Sequence, residues 1–330
     1  PRLECRQRGV VRQLRLSFAE PRRTFTKGFE RYIAQLCRLM TIQDVAKHLG
    51  LGWDLVRDIH KRYLQKRFGS PRLRHVRHIA IDEIHIGRGA RFLTIVLDLD
   101  EGNILFVGDG KGGDALKPFW RKLHASHARV KAVAMDMSKA YIKAVRDHLP
   151  NAKIVFDHFH VIKLCNDMLS DLRREVQRNA ETKEQQEVLK RSLWLLLKDP
   201  DNLSKKGNER ERLEAALALN KPLALAYYLK EDLRRLWDLE SKSKARTFLN
   251  DWIARARAAE IKVLAKFAQT LEDHKEGILA YYTYPISTGP LEGTNNKIRT
   301  LQRKAYGYRD SAFFKLKLYG LHESRYELIG

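Results

Sequence analysis

Three carboxylates in this 330-residue chain sit where solubility alone does not explain them. Asp82 lies in the middle of the apolar run Ile79-Ala-Ile-Asp-Glu-Ile84, Asp136 ends Val130-Lys-Ala-Val-Ala-Met-Asp136, and Glu292 falls early in Ile286-Ser-Thr-Gly-Pro-Leu-Glu-Gly-Thr-Asn-Asn-Lys-Ile-Arg299. An ionised carboxylate among apolar neighbours costs several kcal/mol unless a partner or a metal compensates it. Three of them converging would hold two divalent cations about 4 Å apart, one activating an attacking hydroxyl and one stabilising the leaving oxygen of a phosphodiester. A donor set made of oxygens alone selects Mg²⁺ or Mn²⁺ over Zn²⁺.

The elements that must carry these residues are legible from periodicity. Short β-branched runs over 78–86, 92–99 and 103–107, separated by Gly- or Asp-containing turns, predict three strands paired as antiparallel neighbours. A helix over 114–124, a strand over 130–136, a helix over 138–148 and a strand over 153–157 follow. The order β-β-β-α-β-α-β is that of a ribonuclease H-like mixed sheet, in which the first and fourth strands are neighbours and bring Asp82 toward Asp136. Glu83 alternates to the opposite side from Asp82 and is not counted as a ligand. Asp98, Asp100 and Asp109 abut turn residues and are expected to face water. Asp157, His158 and His160 follow the fifth strand; Asp157 and His160 are accessory candidates, packing or phosphate contact being the plainer role for the histidines.

Glu292 needs a helix start. Ser287, Thr288 and Gly289 offer an N-cap region and Pro290 suits a first turn. A first-turn Glu can simply complement the helix dipole, worth about 0.3–1 kcal/mol. Here, however, Thr294, Asn295 and Asn296 stand where an amphipathic helix would carry apolar residues, so the first turn is expected to face a site. Lys297, Arg299, Arg303, Lys304 and Arg309 are candidate phosphate contacts, with Asn295 and Asn296 placed to reach the same phosphate-bearing partner or to orient Glu292.

Between strand and helix lies a block over 166–280 with no strand signal, in which apolar positions recur in heptad-like fashion: Leu164, Met168, Leu172, then Leu189, Leu193, Leu196, then Leu213, Ala216, Leu217. This reads as an all-helical insertion dividing a catalytic domain into 71–165 and 281–330. Upstream, residues 1–70 hold 16 basic and 6 acidic side chains, net +10 of the chain's +23. Thr41 as N-cap, an amphipathic helix to Leu49, the break Gly50-Leu-Gly52 and a basic helix to Gln65 make a helix-turn-helix candidate over 41–65, with Arg57, Lys61 and Arg62 outward. An ordinary helical hairpin has the same pattern.

An excess of 63 Lys and Arg over 40 Asp and Glu favours a polyanionic partner. Three dispersed cysteines exclude a disulfide framework, and no apolar run reaches the ~20 residues of a membrane span. A cytoplasmic, nucleoid-associated protein is expected. The chain opens on Pro1 rather than Met, which points to a missing upstream segment.

Asp82-Glu83, Asp136-Met-Ser138 with Tyr141, Asp157-His-Phe-His160-Val-Ile-Lys163, and Gly289-Pro-Leu-Glu292-Gly-Thr-Asn-Asn-Lys-Ile-Arg299 followed by Arg303-Lys-Ala-Tyr-Gly-Tyr-Arg309 together resemble the ISL3 family of bacterial insertion-sequence transposases. The resemblance spans about residues 70 to 330, and the opening stretch looks like that family's zinc-finger tail and helix-turn-helix, although its cysteine pairs are reduced here to Cys5. It implies a DDE triad of Asp82, Asp136 and Glu292. It further implies binding of terminal inverted repeats, strand cleavage at each end, and attack of the exposed 3′-OH on target DNA by a homodimer or larger synaptic assembly. A structure-selective nuclease on the same fold and a DNA-binding regulator with a dead core are the alternatives.

Overall fold

A computed structural model describes residues 2–13, 16–21, 23–87 and 91–323. A hairpin of β1 (Arg2–Glu4) and β2 (Val11–Gln13) precedes α1 (Lys27–Leu36), α2 (Ile42–Leu49) and α3 (Trp53–Phe68). Then come β3 (His78–His85), β4 (Phe92–Asp98), β5 (Ile104–Asp109), α4 (Lys117–Ala125), β6 (Ala132–Met135), α5 (Lys139–His148) and β7 (Lys153–Phe156). Seven helices follow: α6 (His158–Arg178), α7 (Lys183–Arg191), α8 (Leu193–Leu197), α9 (Glu209–Ala218), α10 (Lys221–Arg234), α11 (Lys242–Ala258) and α12 (Lys262–Leu279). The described chain closes with α13 (Gly289–Lys304) and α14 (Ser311–Tyr319). The expected order of strands and helices from residue 78 to 157 is present, and the fold is mixed α/β with a five-stranded sheet of order β5-β4-β3-β6-β7. Among the described residues no helix is long and apolar enough to cross a membrane.

The chain divides into two compact units, and β3 contributes to both. The first comprises Pro1–Val76, Glu83–Arg129 and Pro290–Gly330. Here Thr41 caps α2 by accepting the Asp44 N–H at 3.2 Å, and Gly50, at φ 63°, ends the helix in the left-handed region that a Cβ disfavours. That turn lets Ile33, Cys37, Val45, Ala46, Val56 and Ile59 close one apolar cluster across α1, α2 and α3. The far end of α3 packs Leu64 against Phe313 and Leu316 of α14. Strands β4 and β5 pair antiparallel, and the Val107 N–H donates to the Tyr319 hydroxyl at 3.2 Å. Asp109 pairs with Lys315 at 2.6 Å.

The second unit comprises Arg77–Asp82 and Val130–Gly289. It pairs β3 with β6 and β6 with β7, both parallel, and covers β7 with α12. Its helical part is built around Leu169, Leu172, Leu189, Leu195, Leu196, Leu213, Leu217 and Leu223. Trp252 Nε1 donates to the Leu229 carbonyl at 2.8 Å, and the fully buried Lys230 ammonium donates to that of Leu196 at 2.8 Å. Leu164 departs from its expected inward position: the buried stripe of α6 runs Val161, Cys165, Met168, Leu169, Leu172, which leaves Leu164 exposed at its edge.

Asp98 also departs from expectation. It is buried, because its Oδ1 accepts the N–H groups of Asp100 at 2.9 Å and Glu101 at 3.4 Å and so tightens the β4–β5 turn. Burial raises its pKa by more than those two bonds lower it.

Candidate active site

The second unit aligns three aspartates. Strand β3 pairs with β6 so that His78 faces Ala132 and Ala80 faces Ala134. The same offset, carried two residues on, brings Asp82 level with Asp136. Strand β6 pairs with β7 so that Met135 faces Phe156, which brings Asp136 level with Asp157, and the Asp157 N–H donates to the Met135 carbonyl at 3.3 Å. Residues level on adjacent parallel strands point to the same face with backbones about 4.8 Å apart. Asp136 and Asp157 thus directly follow the last residues of β6 and β7, and Asp82 lies within β3 two residues past its last pairing with β6, toward the C-terminal edge where open α/β sheets bind ligands.

Their surroundings differ. Asp82 and Asp136 are half-buried, and Asp136 Oδ1 accepts the Ser138 N–H at 3.0 Å, a short turn that leads into α5. Asp157 is buried and its acceptors are occupied: Oδ2 takes the Phe159 N–H at 3.1 Å as the N-cap of α6, and Oδ1 takes the Thr288 N–H at 3.1 Å. His160 Nδ1 lies 3.4 Å from Asp157 Oδ2, an ion-pair contact rather than an aligned hydrogen bond, and His158 Nδ1 lies 3.8 Å from Oδ1. Burial pushes the Asp157 carboxyl up, but His160, the Thr288 N–H and the charge of His158 outweigh it and hold its pKa below the usual carboxylate range. Burial likewise pulls His160 down, yet Asp157 together with the charges of Asp82 and Asp136 raises its pKa above the ordinary value. His160 therefore senses all three aspartates. His158 is exposed, its ring 5.7 Å from that of Trp237.

The first unit holds the remaining candidates. Glu83 accepts the Gly112 N–H at 3.0 Å, on the side of β3 away from Asp82, and His85 is exposed with its ring 5.1 Å from Phe92. Helix α13 buries Leu291, Asn295, Ile298 and Leu301, so of the two asparagines Asn296 holds the surface position. Glu292, Asn296, Arg299 and Arg303 are exposed and, at spacings of four, three and four, form one stripe along the helix. Arg299 Nη1 donates to Asn296 Oδ1 at 3.1 Å within that stripe. Lys304 and Arg309 are also exposed, and Lys297 is half-buried.

The cations of α3 have protein partners. Arg57 pairs with Asp54 at 2.9 Å and Asp58 at 2.8 Å, Lys61 with Asp310 at 2.6 Å and Arg62 with Glu30 at 3.0 Å. Arg67, which the sequence pattern did not single out, pairs with Glu323 at 2.6 Å. Thr288 reads from the sequence as part of an N-cap region, but its contact with Asp157 is made by a backbone N–H that side-chain type does not signal.

Among the described residues no three histidine, cysteine or acidic side chains gather into one group fit to hold a metal ion. Asp82 and Asp136 by themselves are two half-buried oxygen donors on one sheet face, which suits part of the shell of a hard divalent cation.

Two family models match the chain. One, described as a transposase of the ISL3 DDE type, covers residues 79–318, and one described as the helix-turn-helix domain of transposase family ISL3 covers residues 14–64. A transposase for insertion sequence element IS1001 of Bordetella parapertussis is 34% identical over 96% of this chain and 78% of its own length. A transposase for insertion sequence element IS1557 of Mycobacterium tuberculosis is 28% identical over 94% of this chain and 74% of its own length. A chain of the Drosophila P element transposase strand transfer complex aligns over 94% of both chains with 14% identity and a TM-score of 0.45.

Proposed function

This chain belongs to the ISL3 family of DNA transposases, and from that premise we propose that Asp82, Asp136 and Glu292 form the carboxylate triad of a ribonuclease H-like catalytic domain. The observation that supports the reading is the parallel register of β3 and β6, which pairs Ala80 with Ala134 and, continued by two residues, would put Asp82 beside Asp136. The matched segment 79–318 contains all three carboxylates. In this organisation residues 1–70 bind DNA, 71–165 and 281–330 make the catalytic domain, and 166–280 are a helical insertion.

Members of a DDE family use divalent metal, and the oxygen donors favour two Mg²⁺ or Mn²⁺ ions held by Asp82, Asp136 and Glu292. Such ions lower the pKa of an attacking water or hydroxyl and neutralise charge on the phosphate. The chain's own groups do the rest. Asp157, with His160, fixes the start of α6, and it also holds the backbone of Thr288, four residues ahead of Glu292 in sequence. Phosphate contacts from Lys297, Arg299, Arg303, Lys304 and Arg309 orient the strand.

Two displacements at phosphorus follow. In the first, a water oxygen bonds to phosphorus at the end of the element, the P–O3′ bond breaks, and the departing 3′ oxygen takes a proton. In the second, that 3′-OH attacks a target phosphodiester and releases the target's 3′-OH. Neither step needs a covalent enzyme intermediate. The terminal inverted repeats and target DNA are the substrates, and a homodimer or larger synaptic assembly pairs the two ends. Cleavage and joining of a labelled duplex carrying the element's end, in Mg²⁺, tests this directly: Asp136→Asn is expected to abolish both products, and full activity of that variant would sink the triad.

A further inference from the structure

Helix α13 ends in a way its sequence makes costly. The Tyr306 N–H donates to the Arg303 carbonyl and the Gly307 N–H to that of Gln302 at 2.9 Å, the paired bonds of a Schellman motif. The residue that must be left-handed in that motif is Tyr306, at φ 51°. Glycine is the usual occupant, because a Cβ there crowds the neighbouring carbonyl. Among the described residues four non-glycine positions have positive φ, His127, Asn208, Glu260 and Tyr306, and Tyr306 is the one with a phenol ring.

No packing accounts for it. The Tyr306 side chain is 101% exposed, the most exposed large hydrophobic residue described. The tyrosine two residues on behaves oppositely: Tyr308 stacks on Phe314 with ring centroids 4.7 Å apart and meets Phe313 edge-on at 6.3 Å. The connection to α14 is thus anchored on one side while an aromatic ring is held out on the other. Strain kept at an exposed position, with no contact within the fold to offset it, points to a contact outside the fold.

The surroundings say what kind. Arg303, Lys304 and Arg309 flank Tyr306 in sequence and are exposed, and the stripe Glu292, Asn296, Arg299, Arg303 runs along α13 toward its end. From Glu292 to Arg303 the helix rises about 16 Å, some five steps of a DNA strand at about 3.4 Å each. An aromatic ring beside cations is the recurring platform for an unpaired base. Wedges driven into intact duplex are instead purely apolar side chains, which a tyrosine is not.

We infer that Tyr306 stacks on an unpaired base of the DNA end, about four to six nucleotides along the strand from the phosphate presented to Glu292. This rests on the assignment of Glu292 to the active site. The ring acts through position alone: it grips the strand while the carboxylates do the chemistry.

The test uses the full chain and a duplex with a six-nucleotide single-stranded overhang, carrying 2-aminopurine at one overhang position at a time. Wild type and Tyr306→Phe should quench one or two adjacent positions. Tyr306→Ala and Tyr306→Gly should lose that quenching and bind about tenfold more weakly, as the loss of one base–aromatic stack predicts. Tyr306→Gly should melt at or above the wild-type temperature, since glycine relieves the left-handed strain, so its loss of binding cannot be ascribed to misfolding. Wild-type quenching and affinity in both small variants would overturn the inference, as would an equal loss on fully paired DNA. Glu292→Gln separates this from the underlying reading: it should stop cleavage while leaving the quenching intact, and cleavage surviving in that variant would remove the triad assignment whatever Tyr306 does.

Discussion

Asp157 accepts the backbone N–H of Thr288 at 3.1 Å across 131 residues of sequence, and the same carboxylate caps α6. One side chain thus ties the end of β7, the start of the helical block and the return from that block.

Its titration has a defined sign. The native carboxyl titrates below its unfolded value of about 3.9, so its contribution to stability is present above that pH and is lost as pH falls through the lower native pKa. Asp157→Asn keeps an acceptor for the backbone but loses the charge. Urea denaturation should therefore show a smaller drop in midpoint between pH 5 and pH 2.5 in the variant than in wild type. Asp157→Ala, which removes the cap outright, should cost about 1–3 kcal/mol at neutral pH.

Asp82 and Asp136 are expected to act as a unit. Asp82→Asn and Asp136→Asn should each reduce cleavage by at least about 100-fold, the scale on which losing one transition-state contact acts. The double variant should be no worse than either single one. In the Asp136→Asn variant the side-chain amide oxygen can still accept the Ser138 N–H that the carboxylate now takes, so circular dichroism and melting should stay near wild type. Multiplicative losses in the double variant would separate the two residues.

Releasing Lys61 should strengthen non-specific DNA binding. Asp310 both pairs with Lys61 and caps α14 by accepting the Phe313 N–H at 2.9 Å. Asp310→Asn preserves the cap and costs less than about 1 kcal/mol of stability, the range for an exposed pair. One more cation free for phosphate should steepen the dependence of log K on log salt by about 0.9, measurable by fluorescence anisotropy at four salt concentrations.

Gly277 of α12 lies against Phe156, and a Cβ there would come within 2.4 Å of the ring. Alanine normally gains about 1 kcal/mol over glycine in a helix. Here overpacking of a strand-end ring should reverse the sign, so Gly277→Ala should lower stability by about 1–3 kcal/mol. Because Phe156 precedes Asp157, activity should fall with it. Thermal melts and the joining assay check both.

Much of the fold was legible because β-branched runs, Gly turns and a Thr41 cap are local signals. The strand pair carrying Asp82 and Asp136 followed from element order, and the structure has β3 beside β6. What escaped were features whose cause is non-local. Asp98 reads as a surface turn residue, yet the turn folds over it. Lys61 reads as part of an outward face of α3, but Asp310, some 250 residues away, pairs with it. Leu164 fits a heptad count that the 3.6-residue helix does not keep.

The strand β3 belongs to one unit up to Asp82 and to the other from Glu83, and the polypeptide passes between the units four times. During synthesis, α3 waits for α14, its packing partner, until a segment about 250 residues downstream has been translated. A premature stop anywhere upstream of residue 290 leaves the first unit open, with the apolar side of Leu64 bare. Translation through α14 is thereby a precondition for closing the first unit, and shorter fragments of the reading frame should be degraded rather than persist.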